Sequence, residues 1–234
     1  MHAALETAID QTLARYDLLT HPFYTAWSRG ELTRADLHHY GEQYLEHVAA
    51  FPTYLTALHA RLPEGPARRA VLTNAFEEEA DGRSHADLWR DFVAGMATAP
   101  ATDRAATLPE IAALVATFRD LAQNASPLAA IAAFHAYESQ VPRIAAEKRK
   151  GLREHYGADA ATCEYFRVHE TADVHHANVW TGLLESELAK AAALGPQAQA
   201  VCEAEILHGT EAAAKALWAA LDGIEAARLA TPLS

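Results

Sequence analysis

Glycine and proline constrain this chain most, because they gather at a few points and leave long uninterrupted stretches of alanine, leucine and glutamate. The breaks fall at His21-Pro22, Ser28-Arg29-Gly30, Leu62-Pro63-Glu64-Gly65-Pro66, Gly95 to Pro109, Asn124 to Pro127, Tyr156-Gly157, Gly195-Pro196 and Asp222-Gly223. A β-sandwich needs turn residues roughly every ten positions. Here helical spacing fills the intervals instead. The pattern predicts an all-α chain with helices at about 3–19, 31–61, 66–94, 109–122, 127–155, 160–193 and 197–221. Pro52 is expected to divide the second of these. Thr33 followed by Asp36, and Ser126 followed by Pro127, are helix-start signals. With no repeat and no low-complexity linker, residues 1–234 read as one helical bundle of about seven or eight helices.

Several function classes drop out early. No apolar run approaches the roughly 18 residues of a membrane-spanning helix. Met1-His2-Ala3-Ala4-Leu5-Glu6 lacks the basic-then-apolar pattern of a signal peptide. A cytoplasmic protein with no membrane partner is expected. The net charge of −12 repels phosphate backbones, so nucleic acid is not an expected partner. Cys163 and Cys202 are the only cysteines and form no CxxC, which fits a reducing compartment and excludes a thiolate zinc site.

The chemistry gathers on three stretches. From Glu164 to Trp180 there is no glycine or proline, and the segment reads as one helix. His169, Asp173 and His176 then stand at i, i+4 and i+7 on a single face, half of a transition-metal site. His175 points about 100° away and is left out. On the helix near 66–94, Glu78 and His85 are seven apart, with nearly parallel side-chain directions and an axial offset of about 10 Å. The triplet Glu77-Glu78-Glu79 by itself reads as a solvated acidic run. On the helix near 127–155, Glu138 follows a strongly apolar stretch, and Pro142 lacks the N–H that would bond the Glu138 carbonyl. A buried carboxylate there calls for a cation, either a metal or a buried Arg or Lys. Together these are three carboxylates and three imidazoles. Hard oxygen donors mixed with imidazoles suit iron or manganese, and six donors suffice for two metals with positions open for dioxygen or substrate.

At these residues, and in His21-Pro22-Phe23-Tyr24-Thr25-Ala26-Trp27, Tyr40, Tyr137-Glu138 and Glu147-Lys148-Arg149-Lys150, the chain resembles the haem-oxygenase-like dimetal oxidases. These share the all-α fold of the TenA and PqqC proteins. Within them the chain is most similar to the group of the chlamydial protein associating with death domains, self-sacrificing synthases of para-aminobenzoate, the folate precursor. The resemblance runs from about His21 to Trp180. It implies metal ligands at Glu78, His85, Glu138, His169, Asp173 and His176, an Fe/Fe or Mn/Fe pair, dioxygen as co-substrate, an external reductant and a homodimer. It further implies that Tyr24 is excised to become the aminobenzoate ring, that Lys148 donates the amino nitrogen, and that Tyr40 and Tyr137 carry radicals. Read alone, each tyrosine is an ordinary core aromatic and Lys148 a surface lysine. An unbroken helix would put Lys148 and Glu138 on one side, about 20° from register. Tyr40, Tyr44 and His47 form a further stripe at i, i+4 and i+7.

Rival readings are a dimetal oxygenase acting on a diffusible amino or fatty acid, a TenA-like thiamin-salvage hydrolase with a cysteine nucleophile, and a non-enzymatic interaction protein. A ferritin-like carboxylate protein would use the E-x-x-H of Glu205-Ile206-Leu207-His208.

Overall fold

The computed structural model describes residues 1, 3–80, 82–98 and 106–230. Among them every regular element is helical: α1 (Ala3–Arg15), a 3-10 turn (Leu18–Thr20), α2 (Pro22–Ser28), α3 (Arg34–Arg61), α4 (Pro66–Glu79) and α5 (His85–Met96). α6 (Pro109–Gln123), α7 (Pro127–Glu138), α8 (Val141–His155), α9 (Ala160–His169), α10 (Ala172–Leu194) and α11 (Pro196–Ala230) complete the order. Both start signals operate. Thr33 and Asp36 form a reciprocal capping box on α3, and the Ser126 hydroxyl accepts from the Ala129 N–H at 3.1 Å with Pro127 in the first turn of α7. Of the break expected from Gly95 to Pro109, residues 99–105 lie outside the described residues.

The described helices outnumber the expected ones for two reasons. A short helix, α2, fits between two adjacent breaks, started by Pro22 and by His21 Nδ1, which accepts from the Phe23 N–H at 3.1 Å. In addition, three long predicted helices are each cut once. The 66–94 helix is interrupted between Glu79 and His85, where Gly82 adopts φ 85° and Ser84 caps α5 through the Asp87 N–H. The 127–155 helix is interrupted after Glu138, because Pro142 cannot supply the next N–H and instead opens α8. The supposedly continuous 164–180 helix ends α9 at His169 and restarts α10 at Ala172. There Arg149 of α8 grips both carboxylate oxygens of Glu170, fixing the joint from outside.

Two expected breaks do not occur. α3 runs through Pro52, which is buried; packing of this helix against α4, α5 and α6 along its length outweighs the one lost backbone bond. α11 runs through Gly223, whose missing side chain allows close crossing of α6: a Cβ there would lie 2.6 Å from Glu110 Oε2. Gly209 serves α11 in the same way against the Ala129 carbonyl of α7. Trp27, Trp89, Trp180, Phe92, Phe118, Phe134 and Phe166 are fully buried in the core. The three cuts turn the ends of α4, α5, α7, α9 and α10 inward, toward one place.

Candidate metal centre and adjoining cavity

Each of the six carboxylates and imidazoles is buried, and the structure brings them together in two overlapping groups, Glu78–His85–His169 and Glu78–Glu138–Asp173–His176. Within each group one donor atom per residue lies within 4.8 Å of the others, and Glu78 belongs to both. The routes differ from those the sequence implied. Glu78 and His85 sit on separate helices, so Nδ1 and Oε2 approach to 2.8 Å across the α4–α5 turn, not along one face. His169 closes α9 while Asp173 and His176 occupy the first turns of α10, His176 Nδ1 being 3.3 Å from Asp173 Oδ1 and 3.7 Å from Glu138 Oε1.

The donor atoms are prepared for a cation. His85 Nδ1, Asp173 Oδ1 and His176 Nδ1 are buried against oppositely charged neighbours without a well-aligned hydrogen bond, a state that a bound ion would relieve. The remaining ring nitrogens are already oriented: His169 Nδ1 lies 2.7 Å from the Tyr165 carbonyl and His176 Nε2 lies 2.6 Å from Glu77 Oε2. Such outer contacts fix the tautomer and aim the free nitrogen at a metal. Glu138 accepts from Asn74 Nδ2 at 3.0 and 3.3 Å and from the Trp180 indole N–H. One group of a carboxylate and two imidazoles and one of three carboxylates and an imidazole, sharing Glu78, offer the mixed oxygen and nitrogen donors that hard or borderline divalent ions take.

Without an ion the cluster holds protons instead. Burial and then the nearby Asp173 charge push the Glu138 carboxyl up to about 8. Burial opposes a charge on His176, but Asp173, Glu138 and Glu77 outweigh it and hold the imidazolium up to about 10. Burial likewise disfavours ionised Glu78, yet His85 beside it keeps that carboxyl below the ordinary range. Burial lowers His169, leaving it a neutral donor.

Beside the cluster lies a small buried cavity of about 30 Å³, lined by Tyr24, Tyr44, Trp89, Tyr137, Lys148 and Tyr165 among others. Lys148 Nζ lies 2.6 Å from Tyr24 Oη and 2.6 Å from Tyr40 Oη, and the two phenols are 3.0 Å apart. Nζ is also 4.1 Å from the Tyr24 ring centroid. Burial drives the Lys148 ammonium well below its ordinary range, and among the described residues no carboxylate is paired to it, so the site favours the neutral amine. Burial raises Tyr24, Tyr40 and Tyr137 well above theirs, keeping the phenols protonated. Tyr137 and Tyr165 form the wall toward the cluster, the Tyr165 ring stacking on His169 with centroids 3.9 Å apart. The Tyr40–Tyr44–His47 stripe is buried, with His47 packed on Tyr137 at 5.1 Å.

Sequence reasoning passed over Asn74, Glu77, Tyr165 and Trp180 as outer contacts. Their signal was helical spacing: Asn74 precedes Glu78, Tyr165 precedes His169 and Trp180 follows His176 by four residues each. Glu77 was hidden in its acidic run. The rival ligands Glu205 and His208 are absent from both groups among the described residues. Burial raises the thiols of Cys163 and Cys202, the reverse of an activated nucleophile. No described helix is long and apolar enough to cross a membrane.

Comparison with known proteins agrees with this architecture. A family described as iron-containing redox enzymes matches residues 38–218. The chain is 41% identical over 227 residues to a 4-aminobenzoate synthase of Nitrosomonas europaea, covering 92% of this chain and 89% of that one. It is 41% identical over 179 residues to a 4-aminobenzoate synthase of Chlamydia trachomatis, covering 76% and 78%. A Shewanella denitrificans domain with a haem-oxygenase-like fold superposes with a TM-score of 0.73 at 15% identity, covering 99% and 94%. With its all-helical bundle and its buried carboxylate–imidazole cluster, the chain belongs to the haem-oxygenase-like family of iron-containing redox enzymes.

Proposed function

We propose that this protein makes 4-aminobenzoate from its own Tyr24, with Lys148 as the source of nitrogen, at a two-metal centre held by Glu78, His85, Glu138, His169, Asp173 and His176. The observation that carries the proposal is the buried amine of Lys148, 2.6 Å from the Tyr24 hydroxyl. In tyrosine the hydroxyl carbon lies para to Cβ; in 4-aminobenzoate the amino carbon lies para to the carboxyl. Lys148 is thus against the position where nitrogen must replace oxygen, and Cβ is the carbon that becomes the carboxylate. The relatives from Nitrosomonas europaea and Chlamydia trachomatis carry the name of this product.

The bound metals, iron alone or with manganese, supply the oxidising chemistry together with dioxygen and an external reductant. The protein's own residues do the rest. Desolvation keeps the Lys148 lone pair available. Tyr40 orients the amine by accepting a hydrogen bond at 2.6 Å. The phenols of Tyr44, Tyr137 and Tyr165 line the cavity together, and Tyr165 stacks on His169 of the cluster, which offers a path for a proton and an electron. Burial of the Lys148 amine and the Tyr24 ring limits the access of water that would compete with the amine. A cavity of about 30 Å³ favours a side chain already in place over a diffusible amino or fatty acid.

Apo-protein loaded anaerobically with iron and manganese, then given dioxygen and reductant, is expected to release at most one 4-aminobenzoate per chain with a mass loss mapping to Tyr24. Protein labelled with 15N-lysine should pass the label to the product. A Tyr24→Phe variant with wild-type yield, or many turnovers per chain, would overturn the proposal.

A further inference from the structure

A site so enclosed needs an entrance for its ions. The exposures of the six donors run from 1% for Glu138 to 7% for His85, so none is available directly from solvent. The cavity beside Lys148 touches none of them, being closed on that side by Tyr137, Tyr165 and Phe166. A different opening does reach the cluster. Between α4 and α10 lies a surface cleft of about 170 Å³, with Ala70, Thr73, Glu77, His175, His176 and Trp180 in its walls. Its floor is the outer edge of His176, whose inner nitrogen faces Asp173 and Glu138.

Two residues in this cleft carry more than the site as described so far draws on: Glu77 has a solvent-facing side, and His175 has no part in it. Glu77 is 35% exposed at its side chain, yet Oε2 lies 2.6 Å from His176 Nε2, so one carboxylate touches both solvent and one of the six donors. His175, left out of the ligand set because it points away from the core, is exposed on the same cleft with its ring 6.1 Å from that of His176. An imidazole and a carboxylate at the mouth are donors of the same chemistry as those inside. The net charge of −12 draws cations to the surface generally.

We propose that this cleft is the loading port of the metal centre: a hydrated divalent iron or manganese ion is captured by Glu77 and His175 and passed inward to His176, Asp173 and Glu138. Glu77 has two positions in this scheme. Bonded to His176 it closes the port; swung toward solvent it receives the ion, and it returns to His176 once the ion has moved on. The inference rests on the assignment of the six donors as metal ligands.

A port alters the rate of passage in both directions and leaves the end state alone, whereas an outer contact that tunes a ligand alters affinity, commonly by about 10–100-fold. The test uses His175→Ala, which removes the outer donor, and Ala70→Trp, which fills the mouth. Neither replaces one of the six donors or either partner of the Glu77–His176 bond. Anaerobic stopped-flow uptake of Mn(II) or Fe(II) by the full-length apo-protein, with release into excess chelator, gives both rate constants. Both variants are expected to slow uptake and release by a similar factor, about tenfold, with Kd unchanged within about twofold. Thr73→Lys, an exposed change that adds a cation at the mouth, should slow uptake most at low ionic strength. Wild-type rates in all three variants, or slower uptake matched by a weaker Kd, would overturn the port. If the wild-type protein binds no ion, the ligand assignment falls with it; normal wild-type loading with unaltered variants rejects the port alone.

Discussion

Lys148 sits with its amine within 6 Å of six aromatic ring centroids and takes two phenols as acceptors. Burying that amine costs stability, and ring faces recover part of the cost. Lys148→Met fills the same volume and leaves Tyr24 and Tyr40 hydrogen-bonded to each other. Its unfolding free energy should stay within about 1.5 kcal/mol of wild type, or rise, while product formation is lost; thermal melts and product assays on the same sample check both halves. Glu138 and His176 set a pH signature of the metal-free protein. Each binds its proton more tightly folded than unfolded, Glu138 up to about 8 and His176 up to about 10. The stability they contribute is complete below their ordinary values and is lost as pH rises through about 8 and then about 10. Melting temperature of apo-protein should therefore fall across this window. With saturating Mn(II) the trend should reverse, because the ion competes with those protons and binds better as they leave. Parallel melts at pH 6 to 10, with and without metal, separate the two cases.

At the scale of elements, the site is made by helix ends. Had the 164–180 segment remained one helix, His169, Asp173 and His176 would have lined a face; cut at Glu170, they close around a volume instead. The identities and spacing of the six candidate donors were legible in the sequence because residue type and helical order survive the cuts, two residues wide between α9 and α10 and five between α4 and α5. The cuts themselves were not, with the exception of Pro142. The α9–α10 joint depends on Arg149, 21 residues away in sequence from Glu170, and no local window carries that contact. The burial of Glu78 and Lys148 inside charged runs is likewise decided by tertiary packing. Arg149→Lys should weaken metal binding more than folding, since a single ammonium cannot hold both Glu170 oxygens. Isothermal titration and a melt on the variant test this; unaltered metal affinity would remove the joint from the site. Gly209→Ala tests the long α11 helix separately. The added Cβ meets the Ala129 carbonyl, and a destabilisation of about 1–3 kcal/mol is expected in chemical denaturation.

At the scale of the whole molecule, the bundle surrounds its proposed reactant with the same core that keeps it folded. Tyr24 is 3% exposed and packs on Phe23, Trp27 and Tyr40. Under the proposed function, the product is cut from that packing. Truncating a buried aromatic costs about 3–5 kcal/mol, against a total of about 5–15 kcal/mol for a typical domain. Tyr24→Gly, as a stand-in for the spent chain, should melt about 6–20 °C lower than wild type by calorimetry and be cut faster by a dilute protease. A melting temperature equal to wild type would show that the core closes over the loss. On that proposal the buried position of one tyrosine would make the molecule a single-use cartridge whose discharge loosens its own casing. Spent copies would be sorted from charged ones by proteolysis, and supply of the product would follow the rate of translation instead of a turnover number.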